Sequence, residues 1–364
     1  MAITKKALLK ALSTVQDPDL KQDLVTLDMI KNIKIEAKKV SFDVVLTTPA
    51  CPLKELIRKE CENALLETFD NAVAFLINMT SNVTTIRDKG PLIPQVKNII
   101  AVASGKGGVG KSTTTANLAV ALAKTGAKVG IIDADIFGPS IPTMFNCENE
   151  QPAVKVEGGR NMIIPIKQYS VQLMSIGFLT PAENAVVWRG PMASSAFKQF
   201  IGDTKWNDLD YLLIDLPPGT SDIHLTLVQT LPVTGAVIVT TPQKVALADA
   251  QKGLAMFKQP PINVPVLGIV ENMAFFTPEE LPNSKYFIFG EEGGAKFAKK
   301  NKVPLLGQIP IVQSIRESSD NGYPAVMTDG IIAEAYMQLA AELARQVAIR
   351  NAKKDKTQVI EVTV

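Results

Sequence analysis

The stretch SGKGGVGKSTTT, residues 104–115, decides the fold of this chain. An apolar run at residues 99–103 leads into it, and an apolar-periodic run at residues 115–123 follows it. This order predicts a strand, a glycine-rich turn and the start of a helix. The glycines let successive backbone N–H groups face an anion, and the helix N-terminus adds positive potential. The stretch therefore predicts a nucleotide phosphate site.

The polar side chains of the loop are expected to have separate roles. Lys111 is expected to reach the outer phosphates as a point charge, and the Ser112 hydroxyl is expected to ligate Mg²⁺. Lys106 places a second ammonium inside the loop. A further anion is needed to explain this second positive charge. The residues expected to bind the nucleotide here are Gly105, Lys106, Gly107, Gly108, Val109, Gly110, Lys111, Ser112 and Thr113.

Composition limits the class of protein. The length of 364 residues predicts two domains, one of them large, and 46% hydrophobic with 20% charged residues is typical of a globular protein. The net charge of +2 gives no reason to expect a nucleic-acid partner. Without a run of about 18 uncharged apolar residues, no membrane span is predicted. Three cysteines make no disulfide framework, which favours a cytoplasmic location.

The only histidine, His224, excludes another group of functions. A metal site built from several histidines needs more than one of them in the chain. Ser–His nucleophile chemistry is nearly excluded as well, because this chain has so little histidine to serve as a base.

The chain is expected to divide into four parts: a small α+β domain at residues 1–85, a linker at 86–97, a large domain at 98–350 and a tail at 351–364. The linker is predicted from two prolines without hydrophobic periodicity. The small domain is expected to contain a helix at Lys5–Leu12, β-prone runs at 30–35, 40–46 and 72–79, and a helix that opens at TPACP. The expected apolar positions of that second helix are Leu53, Leu56, Ile57, Cys61, Leu65 and Leu66.

From Ile99 onward, strand and helix patterns alternate, which predicts a parallel sheet covered on both faces. The predicted strands are residues 99–103, 129–132, 211–214, 236–240, 266–270 and 305–309. Residues 152–177 predict a hairpin insertion around Gly158 and Gly159, and residues 330–350 predict a closing helix. The expected class is an α/β P-loop NTPase with a mostly parallel sheet flanked by helices, preceded by a small α+β domain.

Carboxylates follow two of the predicted strands. Asp215 ends an apolar strand about 100 residues after the loop, the position from which a carboxylate holds Mg²⁺ in P-loop enzymes. Gly219, in the turn PPGT that follows, is expected to direct its N–H at the γ-phosphate. Asp133 and Asp135 follow the second strand, so they are expected in the same crevice. We assign Asp135 to positioning the attacking water and Asp133 to the neighbourhood of Mg²⁺.

The loop SGKGGVGKS with its extra lysine resembles the deviant-Walker-A ATPases, which include MinD, ArsA and the nitrogenase iron protein. Within that group, DADIFGPSIP, WRGPM, DLPPGTSD and GIVENM resemble the Mrp/ApbC branch of iron–sulfur cluster carriers over about residues 96–350. The N-terminal motifs DPDL and TPACP resemble a small domain of iron–sulfur assembly factors.

The resemblance implies an ATPase with slow hydrolysis that works as a homodimer with ATP and Mg²⁺. It implies that Lys106 crosses to the partner's phosphates, that Asn272 recognises adenine and that Pro310 packs near the base. It also implies an iron–sulfur cluster as cargo, with assembly scaffolds and apo iron–sulfur client proteins as partners.

This chain departs from the family in its cysteines. The family places a C-x-x-C pair shortly after the ENM segment, where it bridges a cluster across the dimer. Here that stretch reads AFFTPEELPNSKYFIFGEEGG, without cysteine. Cys51 in TPACP is expected near a helix N-terminus, which lowers a thiol pKa, and it fits a cluster ligand and a structural thiol equally well. Cys61 is expected in the core, and Cys147 is expected to be structural.

Two other functions fit the same nucleotide site. A MinD-like positioning ATPase without its own cluster would carry a basic amphipathic helix at its C-terminus. The residues after Lys356 instead alternate as a strand does. An ATP-dependent small-molecule ligase or kinase is a third reading, which the resemblances at IFGPS and WRGPM disfavour.

Overall fold

The computed structural model describes residues 3–36, 39–69, 73–87, 92–178, 190–278, 281 and 284–359. The chain forms two compact units. The first contains Met1–Thr84 and Ala348–Lys354, and the second contains Thr85–Val347 and Asp355–Val364. The first strand of the second unit begins at Val96, inside the stretch predicted as a linker, because alternate apolar residues from Val96 onward already enter the core.

The first unit contains two helices and a three-stranded sheet. Its elements are α1 (Lys5–Leu12), β1 (Ile30–Glu36), β2 (Lys39–Leu46), α2 (Lys54–Thr68) and β3 (Ala74–Ser81). β1 is antiparallel to β2, and β3 is parallel to β2. The predicted Ala72 start of the last strand lies outside the described residues.

The core of the first unit lies between the helices and the central strand. Leu8 and Leu12 of α1 and Ile57 and Cys61 of α2 contact the alternate apolar side chains of β2. Two predicted core positions of α2 are wrong, since Leu56 and Leu66 are exposed. The buried stripe runs through Ile57, Cys61, Ala64 and Leu65 at helical spacing, and a wider apolar face would have no sheet to cover it.

The second unit is an α/β layer structure. Its strands are β4 (Val96–Ser104), β5 (Val129–Asp133), β6 (Val154–Glu157), β7 (Arg160–Ile163), β8 (Ile166–Gln168), β9 (Val171–Ser175), β10 (Leu209–Asp215), β11 (Gly235–Thr240), β12 (Val266–Glu271) and β13 (Leu305–Gln308). Its helices are α3 (Lys111–Lys124), α4 (Ile141–Met144), α5 (Gly190–Asp203), α6 (Asp222–Thr230), α7 (Lys244–Lys258), α8 (Gly293–Asn301), α9 (Gln313–Asp320) and α10 (Ile331–Lys353), whose last residues belong to the first unit.

Eight strands form the central sheet in the order β13-β12-β11-β4-β10-β5-β9-β8. Neighbouring strands are parallel except for β8, which is antiparallel to β9. The strands β4, β5, β10 and β11 are buried almost throughout, as in a sheet covered on both faces. The predicted α/β fold class with a mostly parallel sheet is confirmed.

The insertion at residues 152–177 is only partly a hairpin. β6 and β7 form the predicted two-stranded hairpin on either side of Gly158 and Gly159. β8 and β9 instead extend the central sheet, and β9 pairs in parallel with β5. Val171 and Leu173 of β9 are fully buried. The central sheet therefore has two additional strands at this edge, β9 and β8, which the pattern of short β segments did not predict. Among the helices that the structure describes, none is both long and apolar enough to cross a membrane.

Candidate nucleotide site

The glycine-rich loop turns between the end of β4 and the start of α3. Gly110 is the residue that caps α3, and its φ of 79° lies in the left-handed region that glycine tolerates. At Gly105 a Cβ atom would lie 2.1 Å from the backbone carbon of Asp249, so only glycine fits against α7 there. The loop is therefore held to a backbone course that directs its N–H groups inward at the head of α3.

Three side chains of α3 converge on the carboxylate of Asp215. The Lys111 ammonium lies 2.7 Å from Asp215 Oδ2, and the Ser112 hydroxyl donates to the same oxygen at 2.6 Å. Thr115, one turn further along the helix, donates its hydroxyl to Asp215 Oδ1 at 2.6 Å. Lys111 is 6% exposed and Asp215 is fully buried, so the pair is screened little by solvent.

The same oxygens suit a magnesium ion. Mg²⁺ prefers hard oxygen ligands and keeps several waters, and a P-loop site supplies a hydroxyl and a nearby carboxylate. Ser112 Oγ and Asp215 Oδ2 lie 2.6 Å apart at the mouth of the loop. The residues present therefore fit the ion that P-loop enzymes use.

Strand register places a second carboxylate beside Asp215. Asp133 is directly opposite it in the β5–β10 pair. Its Oδ1 accepts from Asp135 N at 3.2 Å, and its Oδ2 accepts from Ser175 Oγ at 3.0 Å and Ile141 N at 3.2 Å. Burial, followed by the charge of Asp215, holds the pKa of Asp133 well above its usual range. Both oxygens of Asp133 thus hold the turn between β5 and α4, and the assignment of Asp133 to magnesium stays a prediction.

Asp135 lies in the turn that Asp133 supports, and its side chain is half-buried. Burial raises the pKa of Asp135, while the charge of Lys111 lowers it, so the two groups are within electrostatic range. Backbone hydrogen bonds from Gly138 and Phe137 to its carboxylate also lower that pKa. A half-buried carboxylate near the phosphate lysine could orient a water molecule.

Gly219 contacts the end of β4, the strand that leads into the loop. Its N–H donates to Ser104 O at 2.9 Å. A contact between this N–H and a γ-phosphate therefore requires that hydrogen bond to break. The turn at Gly219 has a φ of 79°, which glycine alone adopts without strain.

The end of β12 braces the other side of the loop. The Asn272 amide donates to Val109 O at 2.8 Å, and Asn272 is buried. Its neighbour Glu271 accepts from Gly294 N at 2.8 Å and from Gln308 Nε2 at 2.7 Å, which ties α8 and β13 to the same strand end. Pro310 follows β13 as a buried residue.

Lys106 and Thr113 lie on the accessible side of the loop, and each is partly exposed. The Lys106 ammonium has no ion-pair partner within the part of the chain that the structure describes. Its backbone carbonyl accepts from Ser104 Oγ at 3.0 Å, so the position of the residue is set by its main chain. Of the WRGPM motif, Trp188 and Arg189 lie outside the described residues.

The three cysteines differ in burial, and none of them forms a disulfide. Burial raises the pKa of the Cys61 and Cys147 thiols to about 12. Cys51 is partly exposed and lies two residues before Leu53, the residue that caps α2. No group of three or more His, Cys, Asp or Glu side chains suited to a metal occurs among the described residues.

Sequence reasoning missed three residues that shape this site: Thr115, Ser175 and Glu271. Thr115 could have been found, because it lies four residues after Lys111 and therefore on the same face of the helix. Ser175 and Glu271 could not, because their roles depend on strand pairs that the sequence does not specify.

Comparison with known proteins gives a consistent result for both units. A family model described as NUBPL iron-transfer P-loop NTPase matches residues 95–344, and one described as iron-sulfur cluster assembly protein matches residues 5–80. The iron-sulfur cluster carrier protein of Synechocystis sp. is 45% identical over 352 residues, which cover 95% of this chain and 99% of the relative. The protein of the same name from Escherichia coli K12 is 45% identical over 339 residues, 92% of this chain and 90% of the relative.

A solved structure resembles the second unit. It is a nucleotide-binding protein from Archaeoglobus fulgidus in complex with ADP, 41% identical, with a TM-score of 0.56. The match covers 66% of this chain and 92% of that protein. On the family match and these near-full-length relatives, the chain belongs to the NUBPL iron-transfer P-loop NTPase family.

Proposed function

We propose that this protein is an ATP-driven carrier that binds iron–sulfur clusters and transfers them to apo-proteins. The observation that carries the proposal is the 45% identity over 352 residues to an iron-sulfur cluster carrier protein, because that match extends through both units. The geometry supports the nucleotide half of the function, since Lys111, Ser112 and Asp215 form one buried cluster at the loop.

Each polar group of the cluster has a task in ATP hydrolysis. The loop N–H groups and Lys111 bind the phosphates, and Ser112 with Asp215 holds Mg²⁺, while Thr115 orients the carboxylate. The ion, when bound, neutralises charge on the phosphates and acts as a Lewis acid. Asp135 orients the attacking water. We infer slow hydrolysis from the resemblance of the loop SGKGGVGKS to the deviant-Walker-A ATPases.

The alternative, a MinD-like positioning ATPase without its own cluster, has less support. That function calls for a basic amphipathic segment at the C-terminus. Here α10 ends at Lys353, and Thr357 pairs with Arg87 in a β-bridge. The resemblance of the first unit to an iron-sulfur cluster assembly protein has no place in the positioning function.

We further propose a homodimer in which Lys106 of each chain binds the partner's phosphates. The support is local: the loop already has Lys111 for its own phosphates, and Lys106 has no ion-pair partner among the described residues. A second ammonium in the loop is accounted for if it serves the other nucleotide.

Mixing Lys106→Ala with Lys111→Ala tests this arrangement. If Lys106 acts in trans, some mixed dimers contain one composite site with both lysines intact, and hydrolysis should partly recover. Subunit exchange is measured in parallel with differently tagged chains. Absence of recovery despite exchange would make Lys106 a residue of its own loop only.

Asn272 is proposed to recognise adenine in addition to its observed bond to Val109, with Pro310 packed near the base. Loss of the Asn272–Val109 hydrogen bond should weaken the binding of every nucleotide, whereas loss of base recognition should weaken the binding of ATP alone. We therefore expect Asn272→Ala to reduce the affinity for ATP more than that for GTP. Equal losses in a binding titration would leave Asn272 with the brace only.

The cargo is proposed to bind through Cys51. Cluster iron is bound by thiolates, and the raised pKa values of Cys61 and Cys147 disfavour that form, whereas Cys51 is partly exposed. A dimer would offer two such thiols, so a client's cysteines must complete the shell. Thiols without disulfides fit a reducing compartment, and we propose the cytoplasm.

Anaerobic reconstitution in the presence of glutathione, whose thiol completes the shell in place of a client's cysteines, tests the cargo site. Iron and sulfide bound per dimer are measured for wild type, Cys51→Ser and the buried-thiol control Cys147→Ser, with ultraviolet–visible and Mössbauer spectra to identify the cluster. We expect substantial loading of wild type and the control, and a large loss for Cys51→Ser. Equal loading of all three proteins would rule out Cys51.

A further inference from the structure

A cavity of about 330 Å³ lies in the second unit at the amino ends of β4 and β10. The P-loop follows the carboxyl end of β4, so the cavity lies at the opposite edge of the sheet from the nucleotide site. Its walls come from the first residues of the two strands and from Arg87, Pro94 and Gln95, which belong to the stretch predicted as a linker. This stretch therefore builds a concave surface that the nucleotide chemistry does not use.

Arg87 is the unusual group in this wall. It is only 6% exposed, and its Nη2 donates to Ile93 O at 2.6 Å. Its Nε and Nη1 are buried and have no hydrogen-bond partner among the residues that the structure describes, which do not include 88–91. Burial also lowers the pKa of the guanidinium, although arginine keeps its charge. The β-bridge partner of Arg87, Thr357, has a buried hydroxyl that likewise has no partner.

The other charged groups of the wall do not neutralise Arg87. Asp210 is already engaged, since its Oδ1 pairs with Lys97 Nζ at 3.0 Å and its Oδ2 accepts from Lys128 N at 2.9 Å. Asp208 is exposed to solvent, and so is the side chain of Lys128. A buried cation without a counter-charge is costly, and native proteins normally provide a partner for one.

We propose that this cavity binds a small molecule through an oxyanion, a carboxylate or a phosphate, whose charge Arg87 neutralises. The guanidinium offers donors whose geometry suits either group. The volume is at the lower end of the range for small-molecule sites, and Val96 and Leu209 supply apolar wall for a short carbon skeleton. The ligand of this site is thus distinct from the nucleotide and from the cluster.

Calorimetric titration of the full chain tests the proposal. The P-loop is first saturated with Mg²⁺ and a non-hydrolysable ATP analogue, so that it cannot bind the probes. Succinate and citrate represent carboxylates, and inorganic phosphate and glycerol phosphate represent the phosphate source. We expect one equivalent of at least one probe to bind saturably, and the series that binds identifies the oxyanion.

Two variants link the binding to Arg87. Arg87→Met keeps an unbranched, though shorter, side chain and removes the charged donors, and it should weaken binding of the probe at least about tenfold. Arg316→Met, at an exposed arginine paired with Asp320, should bind as wild type does. No saturable binding by wild type, or equal affinity in Arg87→Met, would overturn the proposal.

A measurement on wild type alone covers the case in which Arg87→Met does not fold. The Trp206 indole N–H is buried without a partner, and the Trp206 carbonyl accepts from Gln95 of the cavity wall. Its nuclear magnetic resonance signal, assigned with Trp206→Phe, should shift on binding in the same concentration range as the calorimetric signal. Binding that leaves this signal unmoved would place the ligand elsewhere and contradict the assignment.

Discussion

The two ends of strand β10 hold their charges in different ways. At the carboxyl end, Asp215 is fully buried and accepts from Lys111, Ser112 and Thr115. At the amino end, Asp210 pairs with Lys97, whose side chain is 37% exposed. Beside that second pair lies Arg87, a buried cation with two nitrogens that have no partner in the described part of the chain.

The difference separates a charge that the described residues satisfy internally from one that we propose a ligand satisfies. Every oxygen of Asp215 has donors from α3, so the carboxylate and its lysine form one unit that a nucleotide and its metal ion can enter. The amino end instead combines a solvent-screened ion pair with an unmatched guanidinium. Four predictions test the contrast between internally satisfied and unsatisfied groups.

The largest expected effect is on stability at the two ends of β10. Asp215→Ala leaves the Lys111 charge buried and unpaired, which should cost about 3–5 kcal/mol. Asp210→Ala breaks a partly exposed pair and should cost about 1 kcal/mol or less. Hydrogen exchange of the β4 and β10 amides reports the opening free energy of this unit alone. Equal losses of opening free energy in the two variants would contradict the difference proposed between the two ends of β10.

Removal of the Lys111 ammonium, the buried cation of the glycine-rich loop, should abolish ATP turnover. Lys111→Ala deletes the charge assigned to the outer phosphates, and we expect ATP hydrolysis to fall at least about 100-fold. The matched control is Lys252→Ala, at an exposed lysine that pairs with Asp249 at 3.2 Å. A folded Lys111→Ala protein with the activity of the control would contradict the assignment.

His224 is a buried group that is satisfied on one side only. Its Nδ1 caps α6 together with Ser221, while its Nε2 is buried and has no partner within the described ranges. Burial lowers its pKa from 6.5 to about 4. The unfolded chain therefore binds the proton first as pH falls below 6.5, and this single group should remove about 2 kcal/mol of stability between pH 7.5 and pH 5.

His224→Gln isolates that contribution, because this is the only histidine in the chain. The raised pKa of Asp133 acts with the opposite sign, since the folded state then binds the proton more tightly, but it acts in both proteins. Hydrogen exchange at the two pH values should show a smaller loss for the variant. Parallel losses would mean that His224 titrates normally.

The smallest effect is expected at Thr115, one of the three site residues that sequence reasoning missed. Thr115→Val removes the donor to Asp215 Oδ1, and we expect hydrolysis to fall about tenfold, the value of one hydrogen bond to a charged group. Thr115→Ser keeps the hydroxyl and should restore most of the activity. If serine is as impaired as valine, packing rather than the hydrogen bond is what matters at this position.

These expectations also show what the sequence could determine. The strand, loop and helix around Lys111 follow from local glycine geometry and periodicity, so they were predicted correctly from residues 99–123 alone. The carboxylates at the ends of β5 and β10 were predicted to share a crevice, because parallel strands align their carboxyl ends. These features depend on short-range rules.

What the sequence could not determine depends on contacts between remote segments. The donors to Asp133 include Ser175, which reaches it only because β9 joins the sheet beside β5. Arg87 was assigned to a linker, since nothing in RDKGPLIPQVKN indicates that its guanidinium is buried against Ile93. Exposure of Leu56 and Leu66 likewise depends on how much of α2 the sheet covers.

The most direct test of the central claim is cluster transfer. A cluster-loaded assembly scaffold, an apo iron–sulfur client and Mg²⁺-ATP are combined anaerobically, and holo-client formation is followed spectroscopically with and without this protein. The account predicts that wild type accelerates formation and that Lys111→Ala, at equal cluster loading, does so far less. A rate that is the same with wild type, with Lys111→Ala and with no carrier added would contradict it.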